Sequence, residues 1–538
     1  MEKGKKAFEV TKQVLRWIWK IILSILFVAG VVFQAPLKVL AFIIIFLLAS
    51  FALPLRFRKW FWSGVGVVVA ALIVWVVLPE NDKEWKPYTF DEELAVLEAN
   101  YKVPDEENAA IIYDQLIVDY NKSELENLSC EIDEIIGSEY WHSKDYPQVA
   151  SLLNNHKALF EKLREASALE KCKFQITSKN LIILEVNKSS FLRKWAVLLS
   201  KAGNNDIAEG RTGEGIEKIY CIYQIGDHLC RQPLLINILS GIAIKFIAMG
   251  RFDKLAVTQD LDENQLNEIE EFIKNIKYDW QTDLPKVLGY EKLFMKNVLG
   301  SMIYETNSKG KIRLNRNPQK AARYLMPAES NELPKQPYFA KKLLKAYTIL
   351  GWFFVPSSPQ KLSQIIDFEN EKFYKMAEPD YDWSTKSNEV KFSFWDFKLN
   401  YKYFIKLLSL ILAPSYHSVH DLYLRSDSGQ RGALLLIGLK RYENKNRCWP
   451  ENLDDIKGFA KEESFIDPTN GQSFVYEHID GDFVLYSKGR NGIDDGGIGY
   501  SGDEAKEDDV YIWPSKKDRK KISKDRMGEP NDIKGEQK

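Results

Sequence analysis

Gly213–Leu229 reads GEGIEKIYCIYQIGDHL, and Pro233–Met249 reads PLLINILSGIAIKFIAM. Apolar residues recur in both at three- and four-residue spacing, the period of a helix with one face turned to a core. Arg231-Gln232-Pro233 separates them. Proline breaks a helix from within and biases the residue before it towards extended backbone. A helical hairpin is therefore expected. Its second arm is apolar nearly all round, through Leu234, Leu235, Ile238, Leu239, Ile242, Phe246 and Ile247. Asn237 and Lys245 interrupt it, which suits a buried core helix better than a membrane span.

The same rhythm extends outward from about Asp91 to Lys445. Glu106–Ile117 and Ser151–Leu169 carry it, and Phe392–Leu412 resumes it before Pro414. Gly351–Pro359 is an aromatic turn expected to sit in a core. Paired helices of this kind are similar in architecture to tetratricopeptide-like arrays, which bury one helix face against the next repeat. No fixed period near about 34 residues accompanies them, so an ordinary helical globule fits slightly better. The fold class is mainly α, with a helical exported domain over residues 80–425 that begins in a short stem, 80–95.

Upstream of residue 80 lie three apolar runs, Trp17–Phe33, Leu37–Leu55 and Phe61–Leu78. The third holds 18 residues without an ionisable group, close to what crosses a hydrocarbon core of about 30 Å. Lys20 lies near the end of the first run, where its stem reaches the headgroups. Gln34-Ala35-Pro36 joins the first two runs closely. Lys3, Lys5, Lys6, Lys12 and Arg16 precede the first run, and Arg56, Arg58 and Lys59 precede the third. The flank after it, Pro79–Glu84, is net acidic. Positive flanks stay cytoplasmic. The expectation is a multi-pass bacterial inner-membrane anchor (residues 1–79) with a cytoplasmic N-terminus. The large C-terminal portion then lies in the periplasm or outside the cell.

A net charge of −1 offers no basic field for nucleic acid. Cys130, Cys172, Cys221, Cys230 and Cys448 are odd in number and irregular in spacing, a poor disulfide framework. Cys221 and Cys230 fall along one expected helix, roughly 13 Å apart, so buried free thiols are expected. No paired Cys-x-x-Cys spacing for zinc occurs.

The C-terminal unit, 426–514, changes character. A helix is expected over Gln430–Asn444, stopping before Cys448-Trp449-Pro450. Phe474–Tyr476 and Phe483–Tyr486 alternate faces about Asp480-Gly481, which is a hairpin signal. Ser487–Gly497 follows, rich in glycine and aspartate, and Asp508–Pro514 closes the unit. After Trp513 the chain turns into a charged, disordered tail, 515–538.

That order of parts resembles the globular head of the type II secretion major pseudopilin. The closest correspondences are Asp467-Pro468, Tyr486-Ser487-x-Gly489 and Asp508-Asp509-Val510. In that family the loop and the late aspartate coordinate calcium. Carried over by position, the resemblance implies Asn491, Asp494, Asp495 and Asp509 as ligands, with Asp508 in reserve. Calcium takes six to eight oxygens, and clustered carboxylates repel one another without it. A solvated acidic turn is the competing reading. Pseudopilins start with a cleaved leader and one long apolar helix, which this layout lacks, so filament assembly is not implied. The whole layout also resembles a group of uncharacterised bacterial envelope proteins.

His417-Ser418-Val419-His420-Asp421 places two imidazoles one helical turn apart beside a carboxylate, a geometry able to hold zinc. No His-Glu-x-x-His, Gly-x-Ser-x-Gly elbow, P-loop or dinucleotide fingerprint occurs. Asp227-His228 beside Cys230 is a weaker cluster. Two function classes follow. One is a membrane-anchored envelope scaffold or interaction protein with a calcium-steadied head, associated with secretion or surface assembly and partnered by the bilayer and other envelope proteins. The other is an exported metal-dependent hydrolase using His417, His420 and Asp421.

Overall fold

The computed structural model describes residues 85–120, 139–178, 183–276, 279–315, 356–383, 416–479, 481–497 and 508–514. The three apolar runs, most of the aromatic turn, Phe392–Leu412, Cys130 and the charged tail lie outside the described residues. The described chain is mainly helical, with eleven α-helices and two small antiparallel sheets.

The expected hairpin forms as α6 (Thr212–Cys230) and α7 (Leu235–Thr258). Two glycines bring its arms together. A Cβ on Gly226 would stand 2.8 Å from the Gly241 carbonyl oxygen, and one on Gly241 would stand 2.5 Å from that of Gly226. Backbone thus meets backbone, and any side chain would separate the helices. By length and composition α7 could cross a membrane, but 56% of its apolar window is buried inside the protein. The two polar residues that break its apolar surface are themselves buried and paired. Asn237 accepts from the Ser189 hydroxyl at 2.8 Å, and Lys245, 3% exposed, donates to Asp227 at 2.6 Å. Asp227 also holds Arg231 at 2.6 Å. A lone buried ammonium would be prohibitive, whereas this one is matched by a carboxylate.

Around the hairpin pack α2 (Ala109–Asp119), α4 (Lys157–Ser167) and α5 (Ile183–Ala208). Their common core includes Tyr113, Leu159, Leu163, Trp195 and Ile222. Asn108 caps α2, accepting from the Ala110 and Lys173 amides, and so ties the helix start to the chain beyond α4. The single rhythm of Ser151–Leu169 proves to be two helices, α3 (Pro147–Asn155) and α4, parted at His156. There the imidazole Nδ1 bonds the Leu152 carbonyl at 2.9 Å.

The expected stem is partly ordered structure. Trp85–Pro87 forms β1 and pairs with β2 (Tyr304–Asn307), which pairs with β3 (Ile312–Leu314). α1 (Asp91–Asn100) follows at once. α9 (Trp280–Ile303) leads into β2 and packs α1 and α10 (Pro359–Tyr374). Lys296 on α9 reaches Glu93 of α1 at 2.8 Å and Asp367 of α10 at 2.9 Å.

The division expected at 425/426 falls inside one helix. α11 runs from Tyr416 to Asn446, well before the expected start at Gln430. Its first part buries Tyr416 and Val419 against α7 and α9. Its last part buries Leu435, Leu436 and Leu439 with Ala256 of α7, with Phe474, and with Phe483 and Ile512 of the terminal sheet. Ser426, Ser428 and Gly429 are weak helix formers, but packing at both ends overrides their propensity. Arg441 further ties α11 to α8 (Glu263–Lys274), through Glu263 at 2.8 Å and Glu270 at 2.7 Å. The terminal sheet is antiparallel in the order β4 (Val475–Ile479), β5 (Asp482–Ser487), β6 (Val510–Trp513), with a bulge at Leu485/Tyr486. Gly481 at φ +85° makes the expected hairpin turn.

Candidate functional site

The acidic loop rests on a buried polar floor. Asp467, fully buried, accepts from the Ser487 hydroxyl at 2.5 Å, the Asn470 amide at 2.9 Å and the Thr469 N–H at 3.0 Å. Thr469 and Asn470 both donate to the Gly489 carbonyl, at 3.1 and 2.7 Å. Asp467, Ser487 and Gly489 are among the residues that carry the resemblance, and the positions of this group explain the residue types: each short side chain satisfies a backbone group at the foot of the loop. Gly489, at φ +59°, passes so close to Asp508 that a Cβ would collide with its carbonyl and carboxylate.

Above this floor Asp495, Asp508 and Asp509 converge, with one oxygen from each within 4.8 Å of the others. Asp509 is 2% exposed. Its Oδ2 accepts from the Asp495 and Gly497 amides at 3.0 and 2.8 Å, while its Oδ1 is buried without a hydrogen-bond partner. Asp508 repeats the pattern. Oδ2 accepts from the Arg490 and Asn491 amides at 2.9 and 3.3 Å, and Oδ1 is buried and unpartnered. Burial, chiefly, pushes the Asp509 carboxyl up to about 6; the backbone amides oppose this, and Asp495 and Asp494 add to it. Two orphaned carboxylate oxygens beside a third carboxylate form a donor set of hard oxygens alone, which fits calcium or another hard divalent cation.

Not every ligand implied by the resemblance joins this trio. The Asp494 carboxylate accepts from the Tyr486 hydroxyl at 2.8 Å and the Gly496 amide at 3.0 Å. Asn491 accepts from the Ile493 amide at 2.6 Å, and its Nδ2 approaches Asp495 at 3.3 Å. Both side chains thus make hydrogen bonds that help shape the loop. Asp508, held in reserve, stands in the trio.

The histidine pair has other company. His420 stacks on the Trp383 indole, with ring centroids 4.1 Å apart at 13°, and His417 meets the same ring edge-on at 5.4 Å. Burial drives the His420 imidazole down to about 4. Asp421 is engaged by Arg490 at 2.6 Å. Among the described residues, the aspartate trio is the one group of three or more His, Cys, Asp or Glu side chains placed to share a metal. Asp227 belongs to the Lys245–Arg231 network, and His228 lies between the Tyr113 hydroxyl at 3.0 Å and the Leu169 carbonyl at 2.8 Å. Both are core groups. Cys221 and Cys230 are buried free thiols, Cys172 is buried, and Cys448 is a free, exposed one.

Sequence reasoning passed over Arg490 and Trp383. The signal for Arg490 is a cation set among glycines and aspartates; nothing in the sequence announces Trp383, whose histidine and arginine neighbours lie far along the chain. A separate cavity of about 170 Å³, lined by Tyr223, Lys245, Tyr423 and Asp427 among others, also escaped notice, because it is assembled from distant segments. Its ammonium is already matched by Asp227. The chain matches no protein-family model, no curated protein and no solved structure.

Proposed function

We propose that this protein is a membrane-anchored envelope scaffold whose C-terminal tip is steadied by calcium and contacts other exported proteins. The observation that carries this reading is the pair of buried, unpartnered oxygens on Asp508 and Asp509 beside Asp495. Evolved interiors leave few such groups without a partner, and a bound cation would supply one to both. The three apolar runs and their positive flanks support anchorage in the bacterial inner membrane, with the described portion on the far side. Stacked helices around α6 and α7, welded to the tip by α11, support a scaffolding role. Zinc hydrolysis at His417, His420 and Asp421 has less support, since the imidazoles pack on an indole and the carboxylate faces a guanidinium.

The test is thermal unfolding of the detergent-solubilised chain with calcium and with a chelator. A saturating ligand stabilises by about 2.7 kcal/mol at a hundredfold its Kd. The expected result is a melting temperature raised by several degrees in calcium, and unmoved by calcium in Asp509→Asn. Stoichiometric zinc that is lost on changing His417 would instead establish the hydrolase. A reporter fused after Trp513 and active in the cytosol would overturn the topology.

A further inference from the structure

Arg490 belongs to two structures at once. Its backbone N–H donates to Asp508 Oδ2 at 2.9 Å. Its guanidinium points the other way. Nη1 donates to Asp421 on α11 at 2.6 Å, and Nη2 donates to the Trp383 carbonyl. Arg425, also on α11, approaches Asp508 Oδ2 at 3.9 Å. Asp508 therefore belongs to the aspartate trio and also contacts the helical body through Arg425.

We infer that cation binding at Asp495, Asp508 and Asp509 and seating of the tip loop on α11 and Trp383 are one coupled event, transmitted by Arg490; this rests on the calcium reading above. The Arg490–Asp421 pair is about one-third exposed on each side. Such a pair is worth little by itself, because ordering two long side chains opposes a screened attraction. It becomes favourable only when the backbone of residue 490 is already held in place. Asp508 holds it, and Asp508 in turn is pushed from Asp495 and Asp509 until a cation neutralises the trio. A cation that fixes Asp508 thereby presents the guanidinium to α11. Linkage makes the effect reciprocal: seating on α11 must tighten the cation by the same factor.

The test joins calcium titration calorimetry with hydrogen exchange of the peptide covering residues 416–425, on the full chain in detergent. In the wild type, calcium is expected to slow exchange there. Arg490→Ala and the isosteric Asp421→Asn are each expected to weaken calcium by about fivefold or more and to abolish the slowing. Arg490→Lys, able to reach one partner but not both, falls between. If the wild type binds calcium, and both variants keep its affinity within about twofold while exchange at 416–425 ignores calcium, the coupling is overturned and the ion site stands. If the wild type binds no calcium at all, the ion site falls and the coupling falls with it. Asp421→Asn, which leaves the loop sequence intact, guards against reading a misfolded Arg490→Ala as support.

Discussion

The α6–α7 hairpin and the tip loop at 487–497 both bury charge and both depend on glycine, to opposite ends. In the hairpin the buried charge is matched: Lys245 meets Asp227, and Asp227 meets Arg231. In the tip it is only partly matched: Arg425 approaches Asp508 Oδ2 at 3.9 Å, yet Asp508 and Asp509 each keep a buried oxygen without a donor. Hairpin glycines remove side chains so that helices touch, whereas Gly489 supplies a left-handed turn. A core completes its own electrostatics. The tip leaves two carboxylate oxygens without a donor, and under the proposed reading a cation would complete it.

The largest effects should arise in the hairpin. Gly241→Val is expected to cost upwards of 4 kcal/mol or prevent folding, since backbone, the Cys230 thiol and the Gly226 carbonyl occupy the space; a denaturant titration checks it. Lys245→Ala should cost about 3–5 kcal/mol by leaving Asp227 short of a buried partner. If it proves nearly neutral, the contrast between matched and unmatched charge fails. Asp509→Asn should behave in the reverse sense. Without calcium it should leave stability unchanged or raise it by about 1 kcal/mol, because it removes repulsion from a buried carboxylate.

A smaller effect is the pH dependence. The folded Asp509 carboxyl sits at about 6, above its unfolded value, so the native state holds the proton more tightly. Its contribution is fully present below the unfolded value near 4 and is lost as pH rises through about 6. The calcium-free protein should therefore lose stability over that window, and calcium affinity should fall as pH drops below 6. Parallel melts with calcium and with a chelator would show the two trends crossing. Smallest of all, Asp494→Ala should cost about 1 kcal/mol, through the lost Tyr486 hydrogen bond, with little change in calcium affinity.

What was legible in the chain followed from local physics. The hairpin could be read because its period and its proline lie within one window. The β4–β5 turn could be read because Asp480-Gly481 needs only its neighbours. α11 was read too short, since Ser426-Asp427-Ser428-Gly429 interrupts the apolar rhythm and only contacts remote in sequence hold it helical. The break at His156 was invisible for a similar reason: a side chain bonding its own preceding turn leaves no mark on periodicity. Residue types located the acidic loop. They could not sort Asp508 into the trio and Asp494 out of it, because that choice depends on which carboxylate the Tyr486 hydroxyl and the backbone amides reach first.

The unbroken α11 has a mechanical consequence. Thirty-one residues make a rod of about 46 Å, clamped near its start by the α7 and α9 packing and near its end by Arg441 and the terminal sheet. A pull or twist exerted on the tip would meet no joint along that rod. The load passes straight into the helices around Trp195, so tip and body must yield as a single lever.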